Sequence, residues 1–205
     1  MRIIGGNKGG LRISPPKKLK LRPTTDRSKE ALFNILNNKL DYTLITALDL
    51  FSGTGNISYE FSSRGVKYVC AVEINKKSIE FIKNFSKIND FNIEAIKIDV
   101  LSFLKLTDKK FDVIFADPPY NIKDEKYYEI INVIFKNKIL KNDGLLIIEH
   151  SSKTRINQHN FFFENRKYGD SNFSFYKYIN NWFSVFSLKI INLINQIYHP
   201  HLFLL

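Results

Sequence analysis

The sequence has few of the residues and segments that mark secreted or membrane proteins. Its single cysteine excludes an internal disulfide framework and fits a reducing compartment. Because Cys70 lies in an apolar, strand-like run, a buried small side chain is favoured there over a nucleophile. The first residues, MRIIGG, lack the apolar stretch of a secretory signal, and the chain has no repeat or low-complexity tract. We therefore expect a cytoplasmic protein built around one α/β domain.

Acidic residues are scarce at the start of the chain. Among residues 1–40, Asp26 and Glu30 stand against ten lysines and arginines, an excess of eight positive charges within a formal net charge of +11. One explanation is an ordinary solvated face rich in lysine. A concentrated basic segment is better explained as a surface that contacts the phosphates of a nucleic acid. The predicted nucleic-acid-binding residues are Arg2, Lys8, Arg12, Lys17, Lys18, Lys20, Arg22 and Arg27.

Apolar runs of strand length alternate with segments of helical periodicity along most of the chain. This alternation predicts a doubly wound α/β fold, with a mostly parallel sheet covered by helices on both faces. The last two strands are expected to form an antiparallel pair, and short β-like pieces at 2–4 and 11–14 predict a small N-terminal β-hairpin arm. The predicted strands are 45–51, 68–72, 93–98, 111–116, 145–149, 161–167 and 173–178. The predicted helices are 26–36 with Thr25 as its cap, 57–64, 76–88, 100–106 and 125–135.

Four acidic residues lie at or near the carboxyl ends of successive predicted strands: Asp49, Glu73, Asp99 and Asp117. Ligands of open α/β sheets bind in the crevice beyond these ends. Strand ends are loops, and loops are polar, so an accidental placement is one alternative. Acids that accompany four consecutive strands are better explained by a shared site.

The first of these strands continues into a glycine-bearing turn, DLFSGTGN, in which Gly53 and Gly55 permit close backbone approach. The pattern differs from the dinucleotide fingerprint, since Ser58 stands at the third glycine position, and no P-loop lysine follows. Glu73 strengthens the interpretation, because it follows Gly55 by eighteen residues, where an acid can accept both ribose hydroxyls of a nucleotide-like cofactor. Asp99 can receive an adenine amino group or cap the helix that follows, and both roles are open.

The second motif is Asp117-Pro118-Pro119-Tyr120, directly after a predicted buried strand. An exocyclic amino group on a base is a poor nucleophile, because its lone pair is delocalised into the ring. A carboxylate and a backbone carbonyl that accept its two N–H bonds return electron density to the nitrogen. Proline lacks an N–H group and has a fixed φ, so the carbonyl of Pro118 can point at the base, while Tyr120 offers a face for stacking. An ordinary proline turn after a strand is the alternative, but it requires neither the acid nor the ring.

Together these motifs resemble the class I S-adenosylmethionine-dependent methyltransferases, and specifically the bacterial RsmD-type 16S rRNA guanine-N2 methyltransferases. The resemblance covers about residues 1–178. The Asp-Pro-Pro-Tyr motif is shared with adenine-N6 enzymes, whereas the RPTTDR segment points to this family. The segments that carry the resemblance are RIIGG at 2–6, RPTTDR at 22–27, EALFN at 30–34, DLFSGTG at 49–55, DPPY at 117–120, EH at 149–150 and YGD at 168–170.

The resemblance implies a Rossmann-like, seven-stranded sheet with an antiparallel last strand, and S-adenosylmethionine as cofactor without a metal. It implies methyl transfer to the N2 amine of guanine 966 in small-subunit rRNA, either free or in a ribosomal particle. An adenine-N6 methyltransferase of DNA or RNA, and a non-catalytic RNA-binding assembly factor, are the alternatives. The implied cofactor contacts are Asp49, Ser52, Gly53, Gly55, Glu73 and Asp99, and the implied catalytic residues are Asp117, Pro118, Pro119 and Tyr120.

These patterns divide the chain into a basic RNA-contacting arm at 1–22, a methyltransferase domain at 23–178 and an extension at 179–205. The extension departs from the family, and polar residues interrupt its apolar, near-helical spacing, which argues against a membrane span. A helix docked on the domain, a dimer contact and an interfacial membrane contact are the alternatives for it. His199 and His201 have no cysteine or acid nearby, so no metal site is expected. We expect a monomer.

Overall fold

Strands and helices follow one another in the order that the sequence predicts. The computed structural model describes residues 1–16, 19, 26–119, 122–168 and 171–178. Within them, the strands are β1 (Thr46–Leu50), β2 (Tyr68–Glu73), β3 (Ile93–Lys97), β4 (Phe111–Ala116), β5 (Leu140–Ser151), β6 (Phe162–Tyr168) and β7 (Ser171–Tyr176). The helices are α1 (Asp26–Asn37), α2 (Asn56–Ser63), α3 (Lys76–Asn89), α4 (Val100–Leu106) and α5 (Asp124–Lys136), with a 3-10 turn at Tyr42–Leu44.

The seven described strands form one sheet in the order β3-β2-β1-β4-β5-β7-β6. Strands β1 to β5 are parallel, and β7 is antiparallel to both β5 and β6. The strand order reverses between β1 and β4, which opens a crevice beyond their carboxyl ends. The doubly wound fold and the antiparallel last strand are therefore confirmed.

Successive side chains of each strand point to opposite faces of the sheet. Both faces carry apolar side chains, and helices cover both. In β4, Ile114 belongs to the core formed with α4 and α5, whereas Phe115 belongs to the core formed with α1 and α2. Helix α1 contributes Leu32, Phe33 and Leu36, which are fully buried at the spacing of one helix face. Burial on both sides explains why the central strands are almost continuously apolar.

Strand β5 begins at Leu140, earlier than the sequence predicts. Leu140 pairs with Phe111, and the register then shifts before the parallel pairing resumes. The shifted stretch is polar, KNDG at 141–144, so it lacks the apolar pattern from which a strand is predicted. Gly144 is required there, since a Cβ would lie 2.9 Å from the carbonyl oxygen of Asp112.

The N-terminal segment, residues 1–13, packs onto the domain as part of its core. Ile3 and Ile13 are buried in a cluster with aromatic side chains of α2 and α3. The segment has one isolated antiparallel bridge, between Arg2 and Arg12, rather than two paired strands. The predicted β-hairpin arm is therefore not confirmed.

A buried carboxylate, that of Glu60 on α2, holds the N-terminal segment in place. Its Oε2 accepts the N–H of Ile4 and its Oε1 the N–H of Gly5, each at 2.8 Å. Lys29 Nζ lies 3.3 Å from Oε2, and the guanidinium of Arg64 lies 2.8 Å from Oε1. Burial lowers the pKa of the Lys29 ammonium, and the charge of Glu60 opposes that shift. This Glu60 cluster (Lys29, Glu60 and Arg64) joins α1 and α2 to the start of the chain.

No helix in the described part of the chain is both long enough and apolar enough to cross a membrane. The extension at 179–205 lies outside the described residues, and with it the predicted docked helix or dimer contact. The predicted domain boundary at residue 22 and the helix cap Thr25 lie outside them as well.

Gly6 tests whether the N-terminal segment must lie this close to α2. Its φ is 79°, and a Cβ there would lie 1.9 Å from the carbonyl oxygen of Ser63. Gly6→Ala is expected to lower the free energy of unfolding by about 3 kcal/mol or more, since overpacking adds to a left-handed backbone cost of roughly 1–2 kcal/mol. Gly10→Ala is the matched control, because Gly10 has a φ of 86° but nothing within 4 Å of the added Cβ. Urea denaturation measures both, and equal losses would contradict the close packing.

Candidate functional site

The four acidic residues predicted to share a crevice lie along one edge of the sheet. Strands β3, β2, β1 and β4 are parallel neighbours, so their carboxyl ends stand side by side. Asp49 lies near the end of β1, and Glu73 ends β2. Asp99 and Asp117 come within two residues of the ends of β3 and β4. The sheet therefore brings all four to the edge at which the crevice opens.

The turn that follows β1 is docked onto the end of β2. The N–H of Ser52 donates to the carbonyl oxygen of Val72 at 3.0 Å, and the N–H of Gly53 donates to Glu73 Oε2 at 3.0 Å. The other carboxylate oxygen, Oε1, accepts the N–H of Asn75 at 2.8 Å. Two backbone donors thus orient the Glu73 carboxylate, and each oxygen has a second lone pair with which it can accept a ribose hydroxyl.

This turn uses backbone conformations that side chains rarely adopt. Gly53 and Gly55 have φ values of 54° and 83°. A Cβ on Gly55 would lie 3.1 Å from the Tyr59 ring and from a side-chain carbon of Ile82. Phe51 adopts a φ of 59° although it is not glycine, and strain of this kind collects at functional turns. The glycines were predicted from the sequence, whereas nothing in the sequence marks Phe51 as strained.

Asp49 organises the turn through the helix that follows it. Its carboxylate is almost fully buried, and Oδ2 accepts both the N–H of Ser58 at 3.0 Å and the Ser58 hydroxyl. Ser58 is the third residue of α2, so Asp49 caps a helix start at which Gly55 has no side chain to offer. This geometry supports a positioning role, and the predicted direct contact of Asp49 with the cofactor stays a prediction.

Burial also perturbs the ionisation of Asp49. It raises the pKa of the carboxyl to about 7 against the opposing hydrogen bonds from Ser58, and the charge of Glu73 adds a smaller contribution. A folded-state pKa above the unfolded value means that protonation favours the folded state. The contribution of Asp49 to stability is therefore fully present below about pH 4 and is lost as the pH rises toward 7.

Asp49→Asn isolates this effect, because the amide keeps the shape of the carboxyl but cannot ionise. As the pH rises from 5 to 7, the wild type is expected to lose about 2 kcal/mol of unfolding free energy relative to the variant. Urea denaturation of both proteins without cofactor, at several pH values, measures this difference. A difference that stayed constant across the range would show that Asp49 does not titrate there.

Two residues flank Glu73 at the far side of the crevice. Asp99 Oδ1 accepts the N–H of Ser102 at 3.0 Å, so Asp99 is the N-cap of α4, and its predicted contact with the cofactor stays a prediction. Ile74, which directly follows Glu73, is 64% exposed and offers an apolar face to a flat ring. Sequence analysis missed Ile74, although a large apolar residue directly after a strand-end acid was the available signal.

Asp117 follows β4 at the point where the strand order reverses. Its N–H donates to the carbonyl oxygen of Leu50 at 3.4 Å, which ties the start of the motif to β1. Pro118 is buried and Pro119 is exposed, so the chain leaves the sheet edge within two residues. Tyr120 lies outside the described residues, and its stacking role stays a prediction.

The residues at this edge fit an adenosine-type cofactor. Glu73 presents a carboxylate that two amides orient, and the adjoining turn has glycine where a side chain would crowd it. In the described part of the chain, the hydroxyl of Ser52 is buried without a hydrogen-bond partner. Buried hydroxyls are normally satisfied, so this one is suited to a ligand that enters the turn.

Some of the predicted RNA-binding residues are presented by the docked N-terminal segment. Arg2 and Arg12 are exposed and lie opposite each other in the bridge, and Lys8 is partly exposed. Arg27 is exposed on α1, and Arg2 is paired with Asp26 at 3.4 Å. These cations therefore stand on a fixed surface. The residues that lie outside the described part of the chain are Lys17, Lys18, Lys20 and Arg22.

Comparison with known proteins identifies the family. A family profile described as "Conserved hypothetical protein 95" matches residues 1–177, and the ribosomal RNA small subunit methyltransferase D of Buchnera aphidicola (subspecies Acyrthosiphon pisum) is 35% identical over 156 residues. The chain belongs to the RsmD family of methyltransferases. The aligned part is 75% of this chain and 80% of the Buchnera protein.

A second relative and a solved structure agree with this membership. The ribosomal RNA small subunit methyltransferase D of Escherichia coli is 31% identical over 150 residues, which are 73% of this chain and 74% of that protein. The structure of yhhF from Escherichia coli matches with a TM-score of 0.73 at 27% identity, covering 86% of this chain and 96% of that one. The chain is thus a class I methyltransferase with a Rossmann-like sheet, and its cofactor is S-adenosylmethionine.

Proposed function

We propose that this methyltransferase acts on small-subunit rRNA and methylates the N2 amine of a guanine, the one at position 966 of 16S rRNA. Two relatives, at 35% and 31% identity, are named ribosomal RNA small subunit methyltransferase D. The observation that carries the proposal is the position of Asp117, which follows β4 and is bonded through its N–H to β1, beside the turn held by Glu73. A carboxylate there can meet an amino group next to the methyl donor.

Cofactor binding belongs to the β1 turn and the end of β2. When bound, S-adenosylmethionine supplies a sulfonium methyl group. Glu73 accepts the ribose hydroxyls, and Ile74 covers one face of the adenine ring. Gly53 and Gly55 let the backbone approach the cofactor closely. Because Asp49 caps α2 directly behind these glycines, it keeps the turn in this shape.

Catalysis is assigned to Asp117 and the carbonyl of Pro118, which accept the two N–H bonds of the target amine. Held in this way, the nitrogen would direct its lone pair at the sulfonium methyl group that a bound cofactor would supply. The methylated nitrogen loses one proton to Asp117 or to water. Since this proton becomes acidic only after attack, Asp117 acts first as a hydrogen-bond acceptor. The rate enhancement comes mainly from positioning and electrostatics.

The basic N-terminal segment supports an RNA substrate. Phosphate contacts from Arg2, Lys8 and Arg12 of this segment, together with Arg27 on α1, give affinity that does not depend on base sequence. The Glu60 cluster anchors the segment, so these cations keep a fixed position relative to the cofactor turn. We also propose that the protein works as a monomer in the cytoplasm, on free rRNA or on a ribosomal particle.

Guanine is favoured over adenine by the family membership. Both bases present an exocyclic amine, so Asp117 can accept an N–H bond from either one. Discrimination has to come from groups that meet the N1 donor and the O6 acceptor of an unstacked guanine. A non-catalytic assembly factor is disfavoured, because the Asp-Pro-Pro-Tyr motif is intact and binding alone needs no acceptor for an amino group.

The role of Glu73 predicts a specific loss of cofactor affinity. Glu73→Ala is expected to weaken S-adenosylmethionine binding by at least about tenfold, because hydrogen bonds to a charged group contribute roughly 1.5–3 kcal/mol. Glu80→Ala is the matched control, since Glu80 is an exposed acid on α3 that pairs with Lys76. Isothermal titration calorimetry measures both affinities, and equal affinities would remove Glu73 from the cofactor site.

One assay tests both the role of Asp117 and the target base. Ribosomal particles that lack the modification are incubated with labelled cofactor, and their rRNA is digested to nucleosides for mass spectrometry. The wild type is expected to label N2-methylguanosine. Asp117→Ala is expected to bind the cofactor normally but to transfer methyl about 100-fold more slowly, as when one donor of a charge-stabilising site is removed.

Asp108→Ala, which removes an exposed acid between α4 and β4, is the control for the loss of charge. A near wild-type rate for Asp117→Ala would make Asp117 structural and the mechanism wrong. Label in N6-methyladenosine would refute the guanine assignment and leave the cofactor and the role of Asp117 intact.

A further inference from the structure

An open groove, the α1–β6 groove, lies on the face of the sheet that α1 covers. Its volume is about 540 Å³, and its polar lining consists of Asn34, Asn38, Lys39, Arg166 and Tyr168. Strand β6 is the outermost strand of the described sheet, so the groove is at the opposite end from β2 and β3. The proposed cofactor and catalytic sites use none of these side chains.

The lining of the groove has the chemistry that a nucleic-acid strand requires. Lys39 and Arg166 supply positive charge for phosphates. Asn34 and Asn38 supply donors and acceptors for base edges or 2′-hydroxyls, and Tyr168 supplies an aromatic ring. Among the described residues that line the groove, none is an aspartate or a glutamate. The groove therefore favours an anionic strand with accessible bases.

An exposed aromatic ring extends this surface. Phe163 on β6 is 45% exposed, with Lys177 Nζ at 3.7 Å and Lys39 Nζ at 5.8 Å from its ring centroid. A ring flanked by ammonium groups is typical of platforms on which proteins stack the bases of single strands. Glu164 pairs with Arg166 but leaves 56% of that side chain exposed. Because Lys39 belongs to both the groove and the ring, the two form one continuous surface.

The groove ends at the same edge of the sheet as Asp117. Strand β6 runs in the direction of β4 and β5, and Arg166, Phe173 and Glu149 are in register across β6, β7 and β5. Glu149 comes one residue after the register partner of Ala116, the residue before Asp117. Three strand spacings of ~4.8 Å separate β6 from β4, about 14 Å in all. At the ~3.4 Å rise of a stacked strand this distance corresponds to about four nucleotides, and an unstacked strand, which is more extended, covers it in fewer.

We propose that the α1–β6 groove binds a single-stranded stretch of the RNA substrate, at most about four nucleotides from the target base. The proposal rests on the proposed function and adds a second RNA contact to the N-terminal segment, with α1 between the two. A single strand is favoured over a duplex, because the ring and the amides can meet only bases that are unstacked and accessible.

Binding to short RNAs tests the groove directly. The groove variants are Lys39→Ala with Arg166→Ala, and Phe163→Ala alone. The matched control is Lys83→Ala with Lys136→Ala, which removes two exposed positive charges from α3 and α5. Fluorescence anisotropy at several salt concentrations measures the affinity for a labelled, unstructured RNA and for an RNA duplex of equal length.

The double groove variant is expected to bind the single strand about tenfold more weakly. The plot of log K against log salt is expected to become less steep by about 1.4, or ~0.7 for each lost phosphate contact. Phe163→Ala is expected to weaken binding by about tenfold at an unchanged slope, because stacking is lost rather than charge. In methylation assays on unmodified rRNA, the KM for RNA should rise by a similar factor. The kcat and the KM for cofactor should stay at wild-type values.

Several outcomes would contradict the proposal that the groove binds single-stranded RNA. Groove variants that bind the single strand as well as the control do would show that no RNA lies there. An equal loss of duplex binding would contradict the single-strand assignment. A loss confined to assembled particles, with normal binding of naked RNA, would assign the groove to a ribosomal protein. A wild type that methylates neither free rRNA nor rRNA in unmodified ribosomal particles would instead refute the proposed function, which this assay measures separately.

Discussion

The geometry of the site depends on one buried ion cluster centred on Glu60. Its carboxylate binds backbone N–H groups of the N-terminal segment, while Lys29 Nζ donates to the carbonyl oxygen of Arg2 at 2.5 Å and to Asn56 Oδ1 at 2.9 Å. Asn56 is the first residue of α2 and directly follows Gly55 of the cofactor turn. The cluster therefore fixes the N-terminal segment, α1 and the turn relative to one another. Removing one partner of such a pair costs about 3–5 kcal/mol, because the other charge stays buried.

The acids at the crevice also hold backbone segments in place. Asp49 caps α2, Asp99 caps α4, and Glu73 accepts the N–H of Gly53, so three carboxylates first hold backbone in place. A carboxylate that is already oriented by backbone donors needs no rearrangement when a ligand arrives. This preorganisation is the main source of rate enhancement in sites that act by electrostatics.

Local signals in the sequence predict the sheet, the strand-end acids and the glycine turn, because apolar runs and glycines act over a few residues. The missed features depend on contacts between distant residues. The burial of Lys29 is missed, because its sequence neighbours are polar and its partner Glu60 is thirty-one residues away. The capping of α2 by Asp49 is missed as well, since only the fold brings its carboxylate to Ser58. The start of β5 at Leu140 is missed because the register shifts after it and the residues of the shifted stretch are polar.

Within the described sheet, β6 is the outermost strand, and this position bears on the behaviour of the chain in solution. An uncovered strand edge is a template on which another chain can add its own strand. In β6, the register shifts after Phe162, and Glu164, Arg166 and Lys167 place charges along the remaining length. Irregular pairing and charge both oppose such addition. Substitutions in β6 that restore regular pairing or remove these charges would therefore make it easier for one copy of the chain to add to another.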